Sequence, residues 1–262
     1  MVAPKGRKYL SADALFRLVR DGVASILDER ADEPGSSFTD ALMSAFAMFS
    51  LTSPSLLAFD KERVEGHVQT IYGIEHAPCD TYMRELMDPV SPEALRPVFP
   101  GVFRQLQRGK AREPMLFLHG ASWLALDGTG YLSSKTMHCT SCLHKVHRNG
   151  SITSYHHMLG AAMIHPDLRE VSPFMPEPIV QHDGTTQNDG ERKAAKRFLV
   201  TLRQDHPHLN CMVTADRLSA KAPPIETLHD HGCHSILGGK EGDQASLFTQ
   251  VQAAEEAGRL TT

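Results

Sequence analysis

The feature that most constrains this chain is a change of texture at Pro114. Upstream, apolar residues recur at helical spacing in short segments bounded by proline or glycine; downstream, compact apolar runs alternate with amphipathic helices. Ser11 to Asp28 reads as an amphipathic helix with Ser11 as N-cap and Leu15, Leu18, Val19, Val23 and Ile26 on one stripe. Thr39 to Phe49 is apolar nearly all round, which predicts a buried helix. Lys61 to Ile71, Thr81 to Asp88 and Pro92 to Gln107 complete an all-helical region. After Pro114, strands are expected at Met115 to Leu118, Trp123 to Leu126 and Ser154 to Ile164, with a proline-rich edge strand over Glu170 to Ile179. A helix follows from Asn188 to Gln204, with Ala194, Ala195, Phe198, Leu199 and Leu202 inward. Then come a strand (Cys211 to Thr214), a helix (Ser219 to His231), a strand (Ser235 to Leu237) and a last helix (Gln244 to Gly258). Strands followed by alternating helix and strand predict an α/β domain, a mixed sheet with helices on its faces. The organisation is therefore a helical region over 1–112 and an α/β domain over 113–262.

Composition narrows the class of partner. With 41% hydrophobic and 22% charged residues, the 262-residue chain is of globular type. No run approaches the roughly 18 apolar residues of a membrane span, and no signal-type segment opens the chain. Five cysteines, an odd number, argue against a disulfide scaffold and for a reducing, cytoplasmic location. A net charge of −4 excludes a strongly basic nucleic-acid binder but not local basic patches. The 15 histidines are unusual, and six of them fall between His138 and His165.

Three groups of residues carry chemistry. Asp127 and Asp216 each follow an apolar strand, at the strand end where ligands of open α/β sheets collect. Two carboxylates brought together there repel, and a hard divalent cation relieves the repulsion; the alternative is a pair of turn or capping aspartates. Cys139 and Cys142 have the spacing of a zinc half-site, with His147 and His156 placed to complete a tetrahedron. The alternative is a polar hairpin with free cysteines and solvated histidines. Arg104, Arg108, Lys110 and Arg112 form the densest basic run, suited to neutralising DNA phosphates or simply a solvated helix face. The short helices around Ile71 to Leu86 have the size of a helix-turn-helix, with Thr81, Tyr82 and Arg84 facing DNA, or of a structural bundle.

The order of strands and aspartates resembles the catalytic domain of DDE transposases, and most closely bacterial insertion-sequence transposases of the insertion-sequence-four type. The stretches that carry the resemblance are Leu126-Asp-Gly-Thr-Gly-Tyr131, Cys139-Thr-Ser-Cys-Leu143, His147-Arg-Asn-Gly150, Tyr155-His-His-Met-Leu-Gly-Ala161, Ala194-Ala-Lys-Arg-Phe198, Met212-Val-Thr-Ala-Asp216 and Ile236-Leu-Gly-Gly-Lys-Glu-Gly-Asp243. Upstream, Pro54-Ser-Leu-Leu-Ala-Phe59, Ile71-Tyr-Gly-Ile74 and Pro78-Cys-Asp-Thr81 continue it in one order. The resemblance implies a ribonuclease-H-like fold and a metal site of two aspartates and a downstream glutamate that binds Mg2+ or Mn2+. It also implies double-stranded DNA partners, transposon ends and target, and a homodimer. In that group the glutamate lies well beyond the strand matched by Ile236-Leu237, so a chain ending at Thr262 reads as C-terminally incomplete. Glu255 and Glu256 stand 39 and 40 residues after Asp216, but Ala253 to Ala257 also reads as an ordinary solvated helix face.

Two other classes of function stay open on sequence alone. One is a DNA-binding or dimerising transposase fragment without catalysis. The other is a zinc-dependent hydrolase built on the Cys/His cluster. A phosphate loop, a GxSxG elbow and an HExxH helix are all absent from the sequence.

Overall fold

The computed structural model describes residues 10–28, 37–64, 66–181, 187–215, 222–239, 241–242 and 244–259. The chain divides into two compact units, Met1–Glu113 and Pro114–Thr262.

The first unit is helical. Its helices are α1 (Ala12–Ala24), α2 (Phe38–Ser50), α3 (Leu56–Val64), α4 (His67–Tyr72), α5 (Asp80–Met87) and α6 (Val98–Arg108), with a 3-10 turn at Pro92–Leu95. Ser11 caps α1 by accepting a hydrogen bond from the Ala14 N–H at 3.2 Å. The expected all-round burial of α2 holds: Ala41, Met43 and Ala47 are fully buried, and Met48 nearly so. Met43 and Met48 pack with Phe59, Val68, Tyr72 and Met83 in one cluster. Tyr72 stacks on Phe16 with ring centroids 4.8 Å apart, while its hydroxyl lies 2.5 Å from the Ser50 hydroxyl. The helix expected over Lys61 to Ile71 is instead two helices, because Gly66 takes a left-handed conformation (φ 80°) between them. Likewise α6 begins only at Val98, after the Pro92–Leu95 turn and Pro97.

Asp40 is the polar centre of this unit. Only 1% exposed, it accepts from Arg20 Nη2 through Oδ1 and from the Glu75 and His76 N–H groups through Oδ2, each at 3.0 Å. One carboxylate thereby ties α2 to α1 and to the segment after α4.

The second unit holds β1 (Ser122–Ser134), β2 (Leu143–Val146), β3 (Ile152–Ile164), β4 (Ser172–Pro173), β5 (Glu177–Ile179), α7 (Gln187–Asp205), β6 (Cys211–Ala215), α8 (Ala222–Asp230), β7 (His234–Leu237) and α9 (Ala245–Glu256). The sheet order is β2-β3-β1-β6-β7, with β4 and β5 also on β3. β1 runs antiparallel to β3 and parallel to β6, which is parallel to β7; β2, β4 and β5 are antiparallel to β3. Two long antiparallel strands, extended on one side by parallel strands reached through helices, make this the ribonuclease-H-like mixed sheet. Leu124, Leu126, Leu159, Ala161 and Met163 are buried along β1 and β3, and Ala194, Phe198, Leu199 and Leu202 along α7. α7 packs on β3 and β5, and Phe174 meets Phe198 edge-on with centroids 6.1 Å apart.

Two expectations are corrected here. Met115 to Leu118 is not a strand: helical turns occupy Glu113–Met115 and Leu118–Gly120, and a single bridge joins Leu116 to Ser122. Pro114 lacks a donor and Gly120 takes φ 71°, so no ladder forms. β1 does not end at Leu126 but runs to Ser134. Residues 127–134 are polar and glycine-rich, poor strand formers alone, yet β3 satisfies their backbone groups pair by pair.

Asp40→Ala leaves the Arg20 contact and two backbone donors without their acceptor, and is expected to destabilise the helical unit by roughly 3 kcal/mol. Asp60→Ala removes only a half-exposed partner of Arg63 and is expected to cost under about 1 kcal/mol. Urea unfolding followed by far-ultraviolet circular dichroism measures both.

Candidate functional site

Among the described residues, the last pair of the parallel ladder between β1 and β6 is Leu126 and Ala215. Asp127 is the next residue of β1, and Asp216 follows Ala215 in the sequence but lies outside the described residues. Asp127 is thus inside β1 rather than beyond its end: its backbone pairs with Gly160 of β3, and its side chain is exposed. The carboxyl end of neighbouring parallel strands is the ordinary position of a ligand site in such sheets.

Beside Asp127, Gly128 admits a close neighbour. A Cβ at Gly128 would overlap the Glu191 carboxylate of α7, which is 9% exposed. Glu191 also lies 3.9 Å from Nε2 of buried His157, whose Nδ1 has no hydrogen-bond partner. Glu191 is not among the residues singled out from the sequence; the signal that points to it is the glycine directly after Asp127, where a second element approaches the backbone. Glu255 and Glu256 are exposed on α9.

The Cys/His cluster forms further along the same ladder. Cys139 Sγ and Cys142 Sγ are 3.5 Å apart, and His156 Nε2 lies 3.3 Å and 3.4 Å from them. These three ligand atoms all lie within 4.8 Å of one another. The turn through Thr140 and Ser141 brings the cysteines together, with the Cys139 N–H donating to Cys142 Sγ at 3.2 Å. His156 is presented by β3, where it pairs with Leu132, and Tyr131 stacks on its ring at 5.6 Å. Burial first, and then the nearby cysteine sulfurs, push the Tyr131 phenol above its ordinary range. The Gln181 side-chain amide donates to the Cys142 carbonyl, tying the loop to the segment after β5. Two soft sulfurs and an imidazole fit zinc rather than a hard cation.

His147 does not join this group. It stands at the tip of the β2–β3 hairpin, where its N–H donates to the Ser151 carbonyl and Nε2 lies 2.7 Å from Thr153 Oγ1. The cysteines sit at the other end of β2, so the strand itself carries His147 away from them. His144 is likewise engaged, with Nδ1 3.2 Å from Ser154 Oγ. The cluster and Asp127 are separate places, because Leu132 is five residues from Asp127, roughly 15 Å along an extended strand.

The four basic residues divide. Arg104 and Arg108 are exposed one turn apart on α6. Lys110 faces Glu113 at 3.4 Å. Arg112 lies over the Phe103 ring at 5.9 Å, and burial lowers its guanidinium below the ordinary value. In α5, Thr81 and Arg84 are exposed, with Arg84 Nη2 3.9 Å from Asp80.

No family model matches the chain, and no curated protein matches it. Two solved structures are similar to it. One is the piggyBac transposase synaptic complex with hairpin DNA, at 12% identity and TM-score 0.43 over 91% of this chain and 52% of that one. The other is a pre-cleavage Mos1 transpososome, at 10% identity and TM-score 0.24 over 84% of this chain and 64% of that one. The chain thus spans about half the length of the piggyBac protein and under two thirds of the Mos1 chain. At these scores the likenesses carry no weight for function, and the fold assignment rests on the strand order and directions. Among the described residues, no helix is long and apolar enough to cross a membrane.

If the cluster is a metal site, the protein binds about one zinc equivalent, and Cys139→Ser, Cys142→Ser and His156→Ala each abolish binding. His147→Ala retains it, since that ring is committed to Thr153. Zinc content after dialysis, measured by atomic emission, checks all four variants.

Proposed function

We propose that this protein is a DDE-type transposase of the insertion-sequence-four kind, acting on double-stranded DNA at transposon ends and target. The observation that carries the reading is the register of the β1–β6 ladder. Its last described pair, Leu126 with Ala215, stands one residue before Asp127 on one strand and one residue before Asp216 in the sequence of the other. Two neighbouring parallel strands that each lead into an aspartate give a divalent cation two hard oxygen donors.

Asp127 and Asp216 would hold Mg2+ or Mn2+, and an exposed carboxylate on a strand backbone fixed by β3 fits that use. A bound divalent ion there supplies charge neutralisation at the phosphodiester and at the oxygens that attack and leave it. The protein's own part is to hold both carboxylates at fixed positions. The β1–β3 ladder fixes the backbone of Asp127, and Gly128 leaves room for the Glu191 carboxylate against the same stretch of β1. A zinc ion at Cys139, Cys142 and His156 has a structural part in this reading, fastening the loop before β2 to β3. Residues 1–112 serve as the DNA-binding region and 113–262 as the catalytic domain. Arg104 and Arg108 provide the exposed phosphate contacts of the first.

Titration calorimetry with MgCl2 or MnCl2 tests the catalytic reading. Micromolar binding that disappears in the Asp127→Ala, Asp216→Ala double variant is the expected result; no binding by the unaltered protein would remove the catalytic claim. Cleavage that survives Asp127→Ala but not Cys139→Ala would instead establish the zinc hydrolase. For DNA, fluorescence anisotropy between low and moderate salt should show affinity falling steeply with salt concentration. Arg104→Ala with Arg108→Ala should flatten the logarithmic slope by about two units, near 0.9 per lost phosphate contact.

A further inference from the structure

β6 and β7 begin side by side, and each carries a thiol at its start. Met212 pairs with His234 in the parallel register, so Cys211, the first residue of β6, and Cys233, just ahead of β7, are cross-strand neighbours. Adjacent strands stand about 4.8 Å apart, inside the Cα range that a disulfide spans. The two sulfurs are 3.1 Å apart, and the residues are 0% and 6% exposed.

A cation is aimed at this pair. Arg203 of α7 places Nη2 3.4 Å from Cys211 Sγ and 3.2 Å from Cys233 Sγ. The guanidinium is held there by the Leu209 carbonyl at 2.7 Å, the Gly232 carbonyl at 3.0 Å and the His231 carbonyl. Its partners here are neutral carbonyl oxygens and two sulfurs, and a thiolate is the anion this arrangement favours.

We propose that Cys211 and Cys233 form a thiol–disulfide exchange site whose substrate is a low-molecular-weight disulfide of the oxidised glutathione class. Cys233 is the attacking sulfur. It lies directly after the exposed Gly232 turn, whereas Cys211 is wholly enclosed. In the first step the Cys233 thiolate bonds to one sulfur of the incoming disulfide, whose S–S bond breaks and releases one thiolate. In the second, the Cys211 thiol loses its proton to that released thiolate and attacks the Cys233 sulfur, whose bond to the second small sulfur breaks and releases it as a thiolate that takes a proton from water. Two protein thiols are oxidised to one disulfide, and one small disulfide is reduced to two thiols. The hydrogen bond from Cys211, and then the Arg203 guanidinium, lower the Cys233 thiol below its ordinary range, while that same hydrogen bond and burial raise Cys211. This division matches an attacking and a resolving thiol. The product fastens β6 to β7 around α8. The proposal stands apart from the transposase reading, because it uses the opposite ends of the β6 and β7 strands from the one that leads into Asp216.

The test is incubation of the full chain with millimolar oxidised glutathione, followed by tryptic mapping. The expected product is a cross-link between peptides 204–217 and 222–240, two hydrogens lighter than the free pair and reversed by dithiothreitol. Cys211→Ser should instead accumulate a glutathione adduct on Cys233, and Cys233→Ser should modify Cys211 about tenfold more slowly. Circular dichroism of both variants checks that each is folded. The proposal is overturned if the cross-link is absent while exposed Cys79 is modified. It is equally overturned if both variants react at one rate, or if the rate rises with sub-denaturing urea as global unfolding would require.

Discussion

The α/β unit depends on the antiparallel ladder between β1 and β3. Each strand has thirteen residues, and the ladder joins them from Trp123 with Ile164 to Ser134 with Ser154. Among the described residues, the first five of β1 pair with β6. The rest of β1 pairs with β3, and both candidate sites lie on this stretch. Asp127 stands at its root and the Cys/His cluster near its tip. Without β3, a segment reading Asp-Gly-Thr-Gly-Tyr has neither the propensity nor the buried face to remain extended. The bulge between Gly130 and Leu132 bends the ladder just before His156 is presented to the cysteines.

Each unit also commits a buried carboxylate to joining elements. In the helical unit Asp40 collects three donors from two other segments. In the sheet unit Glu177 of β5 meets Arg197 of α7 at 3.6 Å, and the same arginine donates to the Pro178 carbonyl at 2.7 Å. Glu191 and His157 form a second meeting of α7 and the sheet, one residue from Asp127 along β1. Buried charges of this kind are poor sources of net stability, since desolvation offsets most of the attraction, but losing one partner is costly. Their effect is to fix the placement of α7 over β3 and β5, and with it the backbone surrounding Asp127.

The cysteines show how similar residue pairs acquire different chemistry. Cys139 and Cys142 are close in sequence, on a turn, with an imidazole between their sulfurs, which is a metal-ligand arrangement. Cys211 and Cys233 are 22 residues apart, enclosed, and faced by a guanidinium. A cation repels a second cation but stabilises a thiolate, so this second pair is suited to nucleophilic sulfur chemistry rather than to metal binding.

Much of the fold was legible in the sequence. The Ser11 cap, the buried α2, the inward face of α7 and the alternation of β6, α8 and β7 all follow from local periodicity and end signals, which depend on residues a few positions apart. The CxxC spacing was legible for the same reason. Three things were not. The extension of β1 through Ser134 depends on a partner strand some thirty residues later. The withdrawal of His147 from the expected ligand set was decided by the register of the β2–β3 hairpin, which carries that ring to the end of β2 away from the cysteines, while His156 meets them as expected. The meeting of Cys211 with Cys233, and of Glu191 with Gly128, required a parallel crossover and a helix laid across the sheet. Local pattern determined which elements form and which residues have the chemistry; register and crossover decided which side chains meet, because those contacts join residues that no local spacing relates.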